Sequence, residues 1–131
     1  MRYLLASAIA VVIGLSAHTA EATSTSIIGH WSGQGSTHGQ SGNSGTARCQ
    51  INYTKGSGPS YNVQASCNVS RVGLISQTAA VRKVGANRYS GTFHNYQHSV
   101  TGQFTVVVSG TQQRVTMTSE KGTASLTLAR N

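Results

Sequence analysis

Proton-transfer catalysis needs carboxylates or a poised histidine, and this chain carries very few of the first. Its two acidic residues are Glu21 and Glu120. Glu120 stands in a turn-like Ser119-Glu120-Lys121 stretch. Hydrolysis by paired carboxylates is thereby excluded, and a Ser-His-Asp triad lacks its acid. His94 and His98 are four apart, a spacing that brings side chains together on a helix but not on a strand. If Asn95 to Gln97 turn the chain, His94 and His98 can meet His30 around a metal ion. The expected role is instead that of polar loop residues, because no carboxylate or thiolate completes the set. His38, in a Gly/Ser stretch, is expected to be solvated. The inventory implies no enzyme, no metal and no cofactor.

Two further groups could bind or bond. Arg82, Lys83 and Arg88 flank one turn and form the only dense basic cluster, a candidate anion-binding site or an ordinary solvated hairpin tip. Cys49 and Cys67 are the only cysteines. Eighteen residues apart and without a histidine pair, they do not make a zinc pattern; in an exported chain they read as one disulfide. Asn52-Tyr53-Thr54 and Asn68-Val69-Ser70 match the N-glycosylation pattern, but both fall inside predicted strands beside the cysteines.

Export is itself an expectation from the first residues. Met1-Arg2 supplies a positive charge, Leu4 to Leu15 is an almost unbroken apolar run, and Ala20-Glu21-Ala22 offers small residues for cleavage. This is the layout of a secretory signal peptide over residues 1–22. The run is too short for a membrane span of roughly 20 residues, and no cysteine lies near the cleavage point. Residues 23–131 then suffice for a single domain with one core, in the periplasm or secreted. Losing the leader removes Arg2 and Glu21, so the net charge stays at +8. Such a balance favours an acidic protein, an envelope polyanion or a membrane surface; export argues against nucleic acid.

The elements that must position these residues are strands. Apolar residues recur with period two nearly everywhere. Ala47, Cys49, Ile51 and Tyr53 share one face of a segment, and Tyr61, Val63, Ala65, Cys67 and Val69 share one face of the next. Lys55 to Ser60 between them is a dense turn signal. Pairing Cys49 with Cys67 sets Ile51 opposite Ala65 and Tyr53 opposite Val63, so the disulfide would hold the register of this hairpin. Segments around Leu74–Val84, Tyr89–Phe93, Val100–Val108, Val115–Met117 and Ala124–Leu128 follow, separated by turns. About eight strands result, starting with the one that holds Trp31, the sole tryptophan. An all-β chain of this kind makes an antiparallel barrel or a sandwich, and closure into a barrel removes exposed edges. The Gly/Ser-rich stretch from Gly33 to Gly45 reads as one long mobile loop.

A Gly-x-Trp in the first strand, an up-and-down run of about eight strands and an arginine ending the last one resemble the calycin group of barrels. The residues are Gly29, Trp31 and Arg130. The resemblance implies a small antiparallel calycin-like barrel in which Arg130 packs across Trp31 and closes one end. Within the group the chain is nearest to the small periplasmic inhibitors of bacterial metalloproteases, in size, export and a single disulfide. Those inhibitors insert a free N-terminal segment into a protease cleft; here only Thr23 to Ser26 would protrude.

The function expected is an exported, non-enzymatic binding module, inhibitor-like, for an anionic or protein partner. The alternative is a structural or adhesive envelope protein. A small-ligand carrier ranks lower, because Trp31, Tyr89, Phe93 and Phe104 are expected to fill the interior. An outer-membrane barrel ranks lower too, because the segments read as mostly shorter than the 9–11 residues its strands require.

Overall fold

The computed structural model describes residues 26–131. The leader read over residues 1–22, and Thr23 to Thr25 after it, lie outside the described residues. Eight strands follow in order: β1 (Gly29–Gly39), β2 (Ser44–Lys55), β3 (Ser60–Val69), β4 (Gly73–Lys83), β5 (Arg88–Asn95), β6 (Val100–Ser109), β7 (Gln112–Ser119) and β8 (Gly122–Arg130). Each pairs antiparallel with its neighbour in sequence, and β8 returns to β1, so the sheet closes into a barrel. No described residue is helical.

Period-two alternation selects this arrangement, because it places one apolar face of every strand toward a common axis. The outward faces carry residues such as Gln50, Asn52, Gln64, Ser66 and Thr78. A membrane barrel would show the reverse polarity. Strand length does not argue against a membrane barrel, as it was expected to, since the strands run from 8 to 12 residues.

In the β2–β3 hairpin Cys49 pairs with Cys67, Ile51 with Ala65 and Tyr53 with Val63. The two cysteines form a disulfide across the ladder, with Cα atoms 4.1 Å apart. Such a bond is compatible with an oxidising, exported location.

The stretch from Gly33 to Gly45 is not a long loop. It forms most of β1, a turn over residues 40–43, and the start of β2. Its glycines serve close approach. A Cβ on Gly33 would lie 2.0 Å from the Thr127 carbonyl oxygen, and one on Gly35 1.8 Å from that of Ser125. The backbone of β1 therefore leans onto β8 at the seam where the barrel closes, a geometry open only to residues without a side chain.

One end of the barrel is plugged. Trp31 is fully buried, and its indole N–H donates to the Ile27 carbonyl at 2.9 Å. The Arg130 guanidinium lies 4.3 Å from the Trp31 ring centroid. It donates to the Ile28 carbonyl at 2.8 Å and also to the carbonyl of Ser26. Gly29 adopts a φ of +129°, and a Cβ there would stand 3.1 Å from the Arg130 guanidinium. Gly29, Trp31 and Arg130 thus form one unit: the glycine makes room for the arginine, and the arginine covers the ring and ties down the incoming chain.

Two outcomes test these interactions. Arg130→Ala should lower stability by about 1–3 kcal/mol, combining the cation–π contact with the lost carbonyl partners. It should also move tryptophan emission to longer wavelength, whereas Arg114→Ala, on the exposed face of β7, should do neither. Equal effects in urea unfolding would reduce Arg130 to an ordinary chain end. Replacing Cys49 and Cys67 together by alanine should cost about 3 kcal/mol in the same assay, as expected for a closed loop of this length.

Candidate functional site

The interior is packed unevenly along the barrel axis. Near Trp31 the inward side chains Val81, Tyr89, Val106, Val108 and Leu128 are all buried. Toward the other end, inward positions such as Ala65, Cys67, Ile75, Ala79, Met117 and Ala124 are only half-buried. They are half-buried because they face open space, a cavity of about 440 Å³. This lies within the ~300–1,000 Å³ range of small-molecule pockets.

The interior is therefore not filled, contrary to expectation. Trp31 and Tyr89 crowd the plugged end, and of the four aromatic rings only Phe93 and Phe104 reach the cavity. Around them the wall is built from small side chains, among them Ala47, Ala65, Ala79 and Ala124. Four rings cannot fill a barrel when two of them occupy the same end.

The deep part of the cavity is apolar with one polar group, the Tyr53 phenol. Its hydroxyl donates to Gln113 Oε1 at 2.7 Å. Burial pushes the Tyr53 phenol well above its ordinary range, so the hydroxyl keeps its proton. The Gln113 amide nitrogen is buried without a partner among the described residues. The Cys49–Cys67 disulfide forms part of the wall.

Between β4 and β5 the wall is thinner in backbone bonds. Their ladder joins only Ala80–Lys83 to Tyr89–Thr92. Beyond it, toward the open end, the Gln77 amide spans the gap. Its nitrogen donates to the carbonyls of Thr78 and His94 at 2.8 and 2.9 Å, and its oxygen accepts from Asn95 Nδ2 at 2.9 Å. The polar side chains of Gln77 and Asn95 inside the wall are thus spent on the wall itself.

The mouth is formed by four hairpin ends: the turns after β1, β3, β5 and β7. His38, Arg71, His98 and Lys121 line it. From sequence His98 is expected to be a polar loop residue and His38 a solvated one, and nothing there distinguishes Arg71 or Lys121. Counting alternate turns would have found them, since successive turns of an up-and-down barrel lie at opposite ends. His30 stands near the plugged end and cannot meet His94 and His98. His94 is instead paired with Thr101, 2.6 Å from Nδ1 to Oγ1, and its ring lies edge-on to Tyr96. Among the described residues no group of three or more His, Cys, Asp or Glu side chains could hold a metal ion. Arg82, Lys83 and Arg88 are exposed around the β4–β5 turn at the plugged end, remote from the mouth.

No protein-family model matches the chain, and no curated protein matches its sequence. Solved structures do match in shape. A redesigned β-barrel, mFAP1, bound to DFHBI, is 17% identical, covering 79% of this chain and 94% of its own, with a TM-score of 0.64. A fluorescence-activating β-barrel designed de novo is 12% identical over 79% of this chain and 93% of its own, with a TM-score of 0.61. The S-type phycobiliprotein lyase CPES from Guillardia theta is 12% identical over 80% and 88%, with a TM-score of 0.50. The fold shared with these structures is a closed eight-stranded antiparallel β-barrel. At these identities the likeness speaks to fold and to nothing finer, and it gives the metalloprotease-inhibitor resemblance no support.

Tyr53→Phe tests the deep end of the cavity. It should remove the most alkaline component of the tyrosine absorbance titration and cost about 1–3 kcal/mol, since Gln113 loses its remaining partner. In the unchanged protein the raised Tyr53 value works in one direction. Its stability contribution is complete below the unfolded value of ~10 and is lost as pH climbs toward the folded value. A titration unaltered by the substitution would show that Tyr53 is not buried as described.

Proposed function

We propose that the protein is a non-enzymatic binding module that holds a small, largely apolar ligand inside the barrel. The observation that carries this reading is the cavity itself, open at one end, plugged by Trp31 at the other and walled by alanine, valine and isoleucine. An apolar wall gains free energy when an apolar solute displaces the water against it, at roughly 25 cal/mol per Å² removed from water. A cavity of this size inside a closed barrel supports a ligand site over a packing fault, because interiors otherwise close to crystal-like density.

The chemistry of the lining supports binding over catalysis. Among the described residues no carboxylate lines the cavity. Tyr53, its deepest polar group, is already bonded and held neutral. The mFAP1 barrel is described as bound to DFHBI, which supports the idea that a barrel of this shape takes a small molecule. The sequence ranks a protein or polyanion partner ahead of a carried ligand because Trp31, Tyr89, Phe93 and Phe104 are expected to fill the interior and the net charge is +8; the cavity removes the first of these grounds. Arg82, Lys83 and Arg88 lie at the plugged end.

A neutral, apolar, solvatochromic dye such as Nile red is the test. The purified protein should bind it with a blue-shifted, enhanced emission. Ala79→Phe, which places a ring into the cavity opposite Val63, should weaken binding by tenfold or more, about 1.4 kcal/mol, while the protein stays folded by circular dichroism. Reversing Arg82, Lys83 and Arg88 to glutamate should leave dye binding unchanged. Dye binding that survives Ala79→Phe but falls with the reversal would overturn the reading.

A further inference from the structure

Polarity inside the barrel changes with depth, and the change has a sign. Among the described residues the only charged side chains that line the cavity are Arg71 and Lys121, and both are cationic. Arg71 sits in the turn between β3 and β4, and Lys121 in the turn between β7 and β8. In a closed sheet of eight strands these turns are half a circuit apart, so the two cations belong to opposite sides of the mouth. His98, in the β5–β6 turn, and His38, near the end of β1, occupy the positions between them. Each of the four hairpin ends around the opening thus contributes one basic side chain. Hydroxyls from Thr37, Ser44, Ser70 and Thr123 share this rim.

His38 and Ser44 are paired with each other, 3.3 Å from Nδ1 to Oγ, but the two rim cations keep donors to spare. Lys121 gives one hydrogen bond, to the His98 carbonyl at 2.6 Å, and an ammonium has three to give. Arg71 is exposed, and among the described residues its guanidinium makes no side-chain hydrogen bond. Glu120, beside Lys121 and exposed, is the only acid in residues 26–131, and it does not line the cavity.

We infer that the ligand is an amphiphile with a single anionic head, bound tail-first, with the head at the rim between Arg71 and Lys121. This rests on the cavity reading above and names the ligand class for it. Orientation follows from the cost of burying charge. A head carried to the floor would meet only the neutral, already bonded Tyr53, and a buried charge without a partner is strongly disfavoured. At the rim the head keeps contact with water and gains charge-assisted hydrogen bonds, while the tail covers the apolar wall. The shared chemistry is a compact anion, such as a carboxylate, sulfate or phosphate monoester, on an apolar body.

Three probes with one tail separate the two readings: dodecanoate, dodecanol and dodecylamine, titrated calorimetrically below their aggregation limits. Dodecanoate should bind about tenfold more tightly than dodecanol, as two partly exposed ion contacts would give, and dodecylamine should bind least well. Raising salt from 0.1 M toward 1 M, which shortens the Debye length from about 10 to 3 Å, should bring dodecanoate toward dodecanol. The double substitution Arg71→Gln/Lys121→Gln should do the same and leave dodecanol unchanged. Equal binding of all three probes would overturn the head-group inference and leave the cavity reading intact. A dodecanoate preference insensitive to both salt and the double substitution would overturn the rim assignment. Binding of none of the three would overturn both readings.

Discussion

The barrel exists because β1 can lie against β8 without side chains in the way. At Gly33 and Gly35 a Cβ would fall about 2 Å from carbonyl oxygens of the facing strand, a distance no repacking of side chains relieves. Close approach recurs at Gly91, where a Cβ would lie 2.2 Å from the Ala80 carbonyl oxygen of β4, and at Gly102, 2.5 Å from that of Thr118 on β7. The β1–β8 seam is the one among these that closes the sheet into a barrel. Once the seam is made, inward positions of all eight strands face a shared interior, and the ends of that interior become distinct surfaces.

The two ends are then treated differently. At one, Ile27, Trp31 and Arg130 stack a backbone segment, a ring and a guanidinium over the opening. At the other, small side chains leave the interior unfilled, and the disulfide ties β2 to β3 where packing contributes least. Covalent constraint and dense packing therefore act on complementary halves of the molecule.

Much of this was legible in the residues. The period of two predicted the strands, the Cys49–Cys67 pairing predicted the β2–β3 register, and closure was expected from the problem of free edges. The second half of β1, from Gly33 to Gly39, reads as a loop because a strand whose inward positions are Gly33 and Gly35 shows no apolar alternation. Its glycines look like a loop until the facing backbone of β8 is known. The cavity was misread because ring count says nothing of where along the axis the rings fall. A signal was present in the alanines at positions 47, 65, 79 and 124, but it becomes readable only once register shows that they share one half of the barrel. His98 reads in sequence as a candidate partner of His94 and His30, and His38 as a solvated residue; their common position at the mouth depends on which turns lie at the same end.

Ala65, Ala79 and Ala124 line the hollow half without taking part in the Gly33–Gly35 seam or the Trp31–Arg130 plug. Their size can change without touching what closes and caps the barrel. Selectivity for the dimensions of a guest can therefore drift by single substitutions on a scaffold whose folding is decided elsewhere, and the same architecture can be retuned from one occupant to another without passing through an unstable intermediate.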